Sequence, residues 1–163
     1  MSLMLSEALL ANETIAGLVA AHPAAVVDGT TRFDEITLTI EPAEIIATLA
    51  YLKYHQGFDR LSTVTAVDRY PLDPRFELVY HLQSIARNLR LRLRTSVATE
   101  IASATIVYAG ADWYEREVFD LFGVVFTGHP NLRRIMMPDD WEGHPLRRDF
   151  PTHGFKYSYG EQQ

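Results

Sequence analysis

Chemically capable side chains are concentrated near the C-terminal end, where one short pattern occurs twice. Gly-His-Pro followed by an arginine pair stands at 128–134 and again at 143–148. Each copy contains a glycine and a proline, which interrupt helices and strands. Proline also restricts the residue before it, so each turn stiffens the chain and presents the arginine pair that follows. Arginines displayed in this way favour bidentate contacts with carboxylates.

A metal site is one alternative for this region. Four side chains are able to ligate zinc, namely His129, His144, Asp149 and His153. The successive histidines are 15 and 9 residues apart, which matches no compact zinc motif, and the sequence contains no His-Glu-x-x-His helix. The spacing therefore favours contacts with protein carboxylates over metal binding.

Proton transfer is a second alternative. Glu115, Glu117 and Asp120 follow one another along a single predicted helix. We expect acids on the exposed surface of a helix to keep their usual pKa, which makes a proton relay the weaker interpretation.

The helix predicted over 112–123 has two contrasting sides. Asp112 is its expected N-cap, with Glu115 three residues later as in a capping box, and Gly123 is its expected C′ glycine. The apolar side, which predicts the core face, comprises Tyr114, Val118, Leu121 and Phe122. The opposite side comprises Trp113, Arg116, Glu117 and Asp120.

The polar side of this helix predicts an interface. In water, an i,i+4 pair of Arg116 with Asp120 would contribute only about 0.2–0.5 kcal/mol and would leave the indole of Trp113 exposed. Tryptophan and arginine are enriched where proteins bury surface against partners. We therefore expect this side of the helix to face another protein.

Composition excludes several other kinds of protein. The 163 residues fit one domain, and the absence of cysteine excludes a disulfide framework, an iron–sulfur cluster held by this chain and a thiol nucleophile. A formal charge of −6 argues against non-specific nucleic-acid binding. The excess of 13 arginines over 2 lysines favours buried or interfacial ion pairs. No signal peptide or membrane-spanning segment is expected, so any membrane association would come through partners.

The elements that position these residues alternate between helix and strand. Helices are predicted over 3–20 and from Pro42 to Gly57, and strands over 24–29, 35–40, 60–70, 76–83, 88–97 and 104–110. This order predicts an α+β fold, a two-layer sandwich of a mostly antiparallel sheet with helices, followed by an extended C-terminal segment. The row formed by Arg90, Arg92 and Arg94 predicts a solvated sheet face paired with acids such as Glu77; an anionic partner surface is the alternative.

Residues 115–136 resemble the signature segment of one subunit family. The matching positions are Glu115, Arg116, Glu117, Asp120, Leu121, Phe122, His129, Arg133, Ile135 and Met136. They are similar to the C subunit (the 30 kDa subunit family) of proton-pumping NADH:quinone oxidoreductase, which is respiratory complex I. Residues 139–151 also resemble the continuation of that family, whereas a long C-terminal tail found in some relatives is not expected.

The resemblance implies a subunit of an enzyme rather than a catalyst in its own right. It implies a place in the peripheral arm of the complex, on the cytoplasmic side of the cell inner membrane. The neighbours there would be the quinone-site subunit (the D subunit) and the cluster-bearing subunit (the B subunit). NADH and quinone would be used by the complex, with FMN and iron–sulfur clusters in partner subunits. No cofactor, metal or catalytic residue is expected in this chain.

The sequence therefore predicts an α+β domain over 1–126 and an extended segment over 127–163 that docks on neighbouring subunits. The predicted interface residues are Trp113, Glu115, Arg116, Glu117, Asp120, His129, Arg133, Arg134, Trp141, His144, Arg147, Arg148 and Asp149. One alternative is the equivalent subunit of a membrane-bound hydrogenase or of a ferredoxin- or F420H2-dependent oxidoreductase. A free-standing enzyme of unknown substrate is another.

Overall fold

A computed structural model of the chain describes residues 6–151. Its helices are α1 (Glu7–Leu10), α2 (Glu13–Ala21), α3 (Ile45–Gln56) and α4 (Ala111–Phe122). Its strands are β1 (Val26–Arg32), β2 (Glu35–Ile40), β3 (Arg60–Asp68), β4 (Phe76–Ser84), β5 (Leu89–Val97), β6 (Glu100–Ala102) and β7 (Val125–Thr127). The predicted α+β class is confirmed.

Five strands form one mixed sheet in the order β1-β2-β5-β4-β3. All its neighbouring pairs are antiparallel except β2 and β5, which run parallel with Ile36 opposite Leu91. Alternate residues of the central strands, such as Leu38, Tyr80 and Leu93, are fully buried against the helices. The helices and the sheet thus form the two predicted layers, with the apolar core between them.

Hydrophobic periodicity predicted most of these elements. Strand β2 occupies the predicted residues 35–40, and α3 ends where expected, at Gly57 in the left-handed conformation with φ of 69°. The first predicted helix is divided into α1 and α2. The Asn12 side chain accepts a hydrogen bond from the amide of Thr14 at 3.0 Å and so begins a new helix. Residues 3–5 of that prediction lie outside the described residues.

The strand predicted over 104–110 is wrong. Residues Ala104–Ile106 form a short 3-10 helix instead. Hydrogen bonds decide the outcome, because Ser103 caps this turn through the amide of Thr105 at 3.2 Å and Glu115 binds the amide of Ala104. The neighbouring residues form β6, which pairs in parallel with β7 and was not predicted.

The segment after β7 has no regular structure in its described part, as predicted. Residues 128–151, named the strap, contain only turns and bends. The strap lies across the C-terminal end of α4 and the loop between β3 and β4. Strand β7 extends one residue past the predicted boundary at 126. None of the helices in residues 6–151 combines the length and the hydropathy that crossing a bilayer requires.

Candidate functional site

Helix α4 begins earlier than predicted, and its acid Glu115 binds residues that precede the helix. Gly110 is the N-cap and Asp112 lies in the first turn, so the expected capping box with Asp112 is wrong. The Glu115 carboxylate accepts hydrogen bonds from Ser103 Oγ and the Ala104 amide, both at 2.6 Å. Glu115 therefore joins α4 to the short 3-10 helix that precedes it.

Glu115 is fully buried, which corrects the expectation of an exposed acid. Burial raises the pKa of Glu115 from its usual 4.5 to about 7, although the bonds from Ser103 and Ala104 favour the charged form. The nearby hydroxyl of Tyr80 is also buried and has no hydrogen-bond partner among residues 6–151. Burial, with a contribution from Glu115, raises the pKa of Tyr80 well above its usual range.

His129 attaches the beginning of the strap to the first turn of α4. Its Nδ1 accepts a hydrogen bond from the Asn131 amide at 3.0 Å, so the proton of the neutral ring is on Nε2. Nε2 donates to the backbone carbonyl of Asp112 at 3.2 Å and lies 3.0 Å from the Asp112 carboxylate. The imidazole has no exposed area. Both ring nitrogens are thus used to hold the strap against α4.

Asp120 is the anchor of the strap. Its carboxylate accepts a hydrogen bond from Arg134 at 2.7 Å and from the amides of Ile135, Met136 and Met137 at 3.0, 2.7 and 2.9 Å. Burial alone would raise the pKa of Asp120, but these donors outweigh it and hold the pKa below its usual value. A buried carboxylate thus orders three consecutive residues of the strap.

The two arginine-bearing turns bind the C-terminal end of α4. The backbone carbonyls of residues 120–122 accept hydrogen bonds from His144 Nδ1 at 2.8 Å, the Leu146 amide at 3.0 Å and Arg147 Nε at 2.6 Å. Arg134 also donates to the first of these carbonyls at 3.2 Å. The last carbonyls of a helix lack intrahelical partners and carry partial negative charge, so cationic donors suit them.

Gly123 permits this close approach. It is the predicted C′ glycine, with φ of 77°. A β-carbon at this position would lie 2.4 Å from the Arg147 guanidinium and 2.5 Å from the His144 ring. The absence of a side chain therefore serves both the left-handed backbone and the passage of the strap over the helix end.

A second carboxylate clamp, which sequence reasoning missed, fixes the end of the strap. Asp68 is buried and accepts two bonds from Arg75, at 2.9 and 2.7 Å, and one from the Arg148 amide at 2.8 Å. Arg75 also binds Asp149 at 2.6 Å. The hydrogen bonds from Arg75 hold the pKa of Asp68 well below its usual range. No local pattern links Asp68 to the strap, because its partner there, the Arg148 amide, lies 80 residues further along the chain.

The predicted interface residues are thus divided between the interior and the surface. Buried or half-buried within the chain are Glu115, Arg116, Asp120, His129, Arg134, Trp141, His144 and Arg147. Exposed are Trp113, Glu117, Arg133, Arg148 and Asp149, although the last two also bind within the chain. The contact of any of them with another subunit remains a prediction.

Trp113, Glu117 and Arg133 form an exposed group on α4 and the strap, named the tryptophan patch. The Trp113 side chain is 62% exposed, and its ring stacks on the buried Arg116 guanidinium at 4.9 Å. Arg116 Nε donates to the Arg133 carbonyl at 3.3 Å. Arg116 is therefore not paired with Asp120, as the solvated alternative required, but supports the indole from below.

The alternative of a metal site has no assembled set of ligands in the part of the chain that the structure describes. No group of three or more histidine, aspartate or glutamate side chains is placed to hold an ion there. His129 and His144 use ring nitrogens in the contacts with α4 described above. His153, the third histidine of that alternative, lies outside the described residues.

Comparison with known proteins gives concordant matches. Residues 38–156 match the family model of the 30 Kd subunit of respiratory-chain NADH dehydrogenase. The chain is 47% identical over 135 residues to the mitochondrial NADH-ubiquinone oxidoreductase 30.4 kDa subunit of Neurospora crassa, of which it spans 48%. It is 42% identical over 146 residues to the C subunit of NADH-quinone oxidoreductase of Citrifermentans bemidjiense, covering 88% of this chain and 91% of that protein.

A solved structure has the same fold. It belongs to the membrane-bound sulfane sulfur reductase, described as an archaeal respiratory membrane complex, and one of its chains superposes with a TM-score of 0.74. The two chains are 27% identical, and the match covers 86% of this chain and 85% of the other.

Proposed function

Because the chain belongs to the family of the 30 kDa subunit of respiratory-chain NADH dehydrogenase, we propose that it is a non-catalytic structural subunit of the peripheral arm of a proton-translocating NADH:quinone oxidoreductase. In this role it is the C subunit and helps to join the electron-input module to the quinone-reducing module. The exposed tryptophan patch is the observation that carries the proposal.

The tryptophan patch has the composition of an interface hot spot. An indole exposed at 62% is costly in water, whereas burial of a tryptophan at the centre of an interface is commonly worth about 2 kcal/mol or more. The stacked Arg116 guanidinium fixes the ring, so little side-chain entropy is lost when a partner covers it. Rigid aromatic surface of this kind favours protein contact.

The bonding of the polar residues supports a structural role. Asp120 of α4 and His129 and His144 of the strap carry titratable side chains, and each is engaged in bonds between the strap and α4. These bonds also hold the backbone that carries Arg133. Binding a partner therefore orders little additional chain, which lowers the entropic cost of association.

The proposal includes the rest of the complex. The partners are the quinone-site subunit and the cluster-bearing subunit, and the complex is peripheral on the cytoplasmic side of the inner membrane. FMN and iron–sulfur clusters are in partner subunits, where NADH is oxidised and electrons pass to quinone. A loose contact between modules would slow this transfer, since electron tunnelling decreases steeply with distance.

Paired substitutions in the tryptophan patch test the proposal. Trp113→Ala with Arg133→Ala is expected to leave the chain folded but to reduce its incorporation into the membrane complex about tenfold or more. Tyr54→Ala is the matched control, because Tyr54 is a similarly exposed aromatic residue on α3. Native gel electrophoresis of detergent extracts and NADH:quinone activity measure the outcome.

Full incorporation of the doubly substituted chain, with thermal unfolding like that of the unmodified chain, would contradict the proposal. Loss of incorporation by the Tyr54 variant as well would assign the effect to general damage.

A second candidate function is the equivalent subunit of a related membrane-bound complex. The structural match to a chain of the sulfane sulfur reductase complex favours it. The same tryptophan patch would then contact the corresponding subunits of a hydrogenase or of a ferredoxin- or F420H2-dependent oxidoreductase. Purification of the assembly separates the two, because only the first predicts flavin that NADH reduces.

A further inference from the structure

The sheet has one face that the helices do not cover. Helices α2, α3 and α4 pack on the side formed by Leu38, Tyr80 and Leu93. On the opposite side, no helix or strand of residues 6–151 forms a second layer. Six arginines share this open side, named the arginine face: Arg32, Arg60, Arg69, Arg90, Arg92 and Arg94.

The arginine face has a charge opposite to that of the whole chain. Three acids accompany the six arginines, Asp28, Glu35 and Glu77, which leaves a formal charge of +3. The rest of the chain has nine lysines and arginines against 18 acids, and thus −9. A chain with a net charge of −6 has therefore concentrated its positive charge on one side of the sheet.

The acids on the face satisfy only part of this charge. Glu35 pairs with Arg92 at 2.7 Å, and Glu77 binds Arg69 at 3.0 Å and lies 4.0 Å from Arg94. Among the described residues, no carboxylate lies within ion-pair distance of the other three arginines, Arg32, Arg60 and Arg90. The predicted pairing with Glu77 thus accounts for only part of the face, and an anionic partner stays a prediction for the rest.

The central arginines are held in fixed positions. Arg92 and Arg94 are only about one third exposed, and Val79 and Thr37 beside them are buried although they point away from the core. The buried Arg94 Nε has no hydrogen-bond acceptor in the described part of the chain. Partly enclosed side chains on a sheet lose less entropy on binding than freely exposed ones.

We propose that the arginine face is a second docking surface, whose partner is a protein segment bearing carboxylates about 7 Å apart, the spacing of alternate strand residues. This inference rests on the proposed function, because a subunit that joins two modules needs two separate contact surfaces. The tryptophan patch belongs to the helical layer and the arginine face to the sheet. The interspersed acids disfavour a continuous phosphate surface, while planar guanidinium groups match carboxylates in pairs.

A lysine substitution turns the proposal into a covalent test. In a strain whose only copy of the chain is tagged and carries Arg90→Lys, a carbodiimide couples the lysine amine to a carboxylate in direct contact. The chain has only 2 lysines of its own, so the new product is readily identified by mass spectrometry. The expected result is a cross-link from residue 90 to an aspartate or glutamate of another subunit. Ala20→Lys, on the exposed side of α2, is the control and is expected to give no such product.

Charge reversal gives an independent readout. Arg60→Glu with Arg90→Glu changes two unpaired arginines and is expected to weaken retention of the chain in the purified complex on the order of tenfold, more so at low salt. Arg90→Lys is expected to retain wild-type incorporation, because it preserves the charge.

The outcomes separate this inference from the proposed function. If the unmodified chain copurifies with no other subunit, the proposed function fails. If it copurifies normally but residue 90 couples only to Glu35 of the same chain, or charge reversal leaves retention unchanged, the docking surface alone is refuted. Sedimentation of the purified chain with phosphatidylglycerol vesicles, without a protein cross-link, would assign the face to a membrane and overturn the proposal.

Discussion

Replacing Glu115 by glutamine tests whether this buried acid takes up a proton on folding. Glutamine imitates the protonated carboxyl, since its oxygen accepts from the Ala104 amide while its amide donates to Ser103 Oγ. Ser103 is then free to donate to Thr105 Oγ1, which lies 2.6 Å away. No hydrogen bond of the neutral side chain is lost, so the variant isolates the cost of the charge.

The magnitude follows from the raised pKa of Glu115. Its folded pKa of about 7 exceeds the usual 4.5, so the folded chain binds more protons between these values and becomes less stable as the pH rises through them. The stabilisation is fully present below pH 4.5 and is lost above about pH 7. Between about pH 5.5 and pH 8, linkage gives a loss of about 2 kcal/mol, which the glutamine variant does not share.

Urea unfolding of the full chain, followed by tryptophan fluorescence across this pH range, measures the difference between variant and wild type. Other titrating groups cancel in that difference. The expected result is a free energy of unfolding that favours Glu115→Gln progressively from about pH 5.5 to pH 8 by about 2 kcal/mol. Glu117→Gln, an exposed acid on the same helix, is expected to show no trend. A constant difference for Glu115→Gln would refute the assignment of a buried, neutral carboxyl.

Three further substitutions test the attachment of the strap, each by equilibrium unfolding. Gly123→Ala is expected to lower the free energy of unfolding by roughly 2–4 kcal/mol, because it adds a clash with the strap to the backbone strain. Gly128→Ala is the control, since its β-carbon would enter open space and add only about 1 kcal/mol of backbone strain. Equal losses for the two variants would contradict the clash. Asp120→Asn is expected to lower the free energy of unfolding by about 3–5 kcal/mol. Its side-chain NH2 group would face the backbone amides that now donate to Asp120, and the Arg134 guanidinium would lose its carboxylate. A loss below about 1 kcal/mol would contradict the anchor role. Asp68→Asn is expected to destabilise strongly and to reduce acid sensitivity, while Asp149→Asn at the exposed end of the same clamp has little effect; similar losses would contradict the clamp.

Elements governed by local periodicity were predictable from the sequence. Strand β2 alternates apolar and polar residues over its full length, and Gly57 ends α3 as its position indicates. The failure at 104–110 has a tertiary cause. Its apolar residues suit a strand, but a carboxylate on the next helix binds the amide of Ala104 and fixes a tight turn. A residue eleven positions away is invisible to a local pattern.

The candidate site was predictable in composition but not in orientation. A helical wheel places Arg116 and Asp120 on the polar side of α4 and assigns that side to water or to a partner. Both side chains are instead covered by the chain itself. Only Trp113 and Glu117 of the predicted side remain exposed. A helical wheel shows the polarity of each residue but not which distant donors will bind it.

The repeated Gly-His-Pro turns make the end of α4 and the tryptophan patch parts of one structure. The first turn is tied to the beginning of the helix by His129, and the second to its last carbonyls by His144. Because both ends of the helix are bound, Arg133 between them has a fixed backbone position relative to Trp113. The sequence suggested that the arginine pairs bind a partner, but most of these arginines bind within the chain and shape the strap. The contact surface that we propose on this side of the chain is therefore small and centred on one indole, and its affinity is expected to depend on order already established by folding.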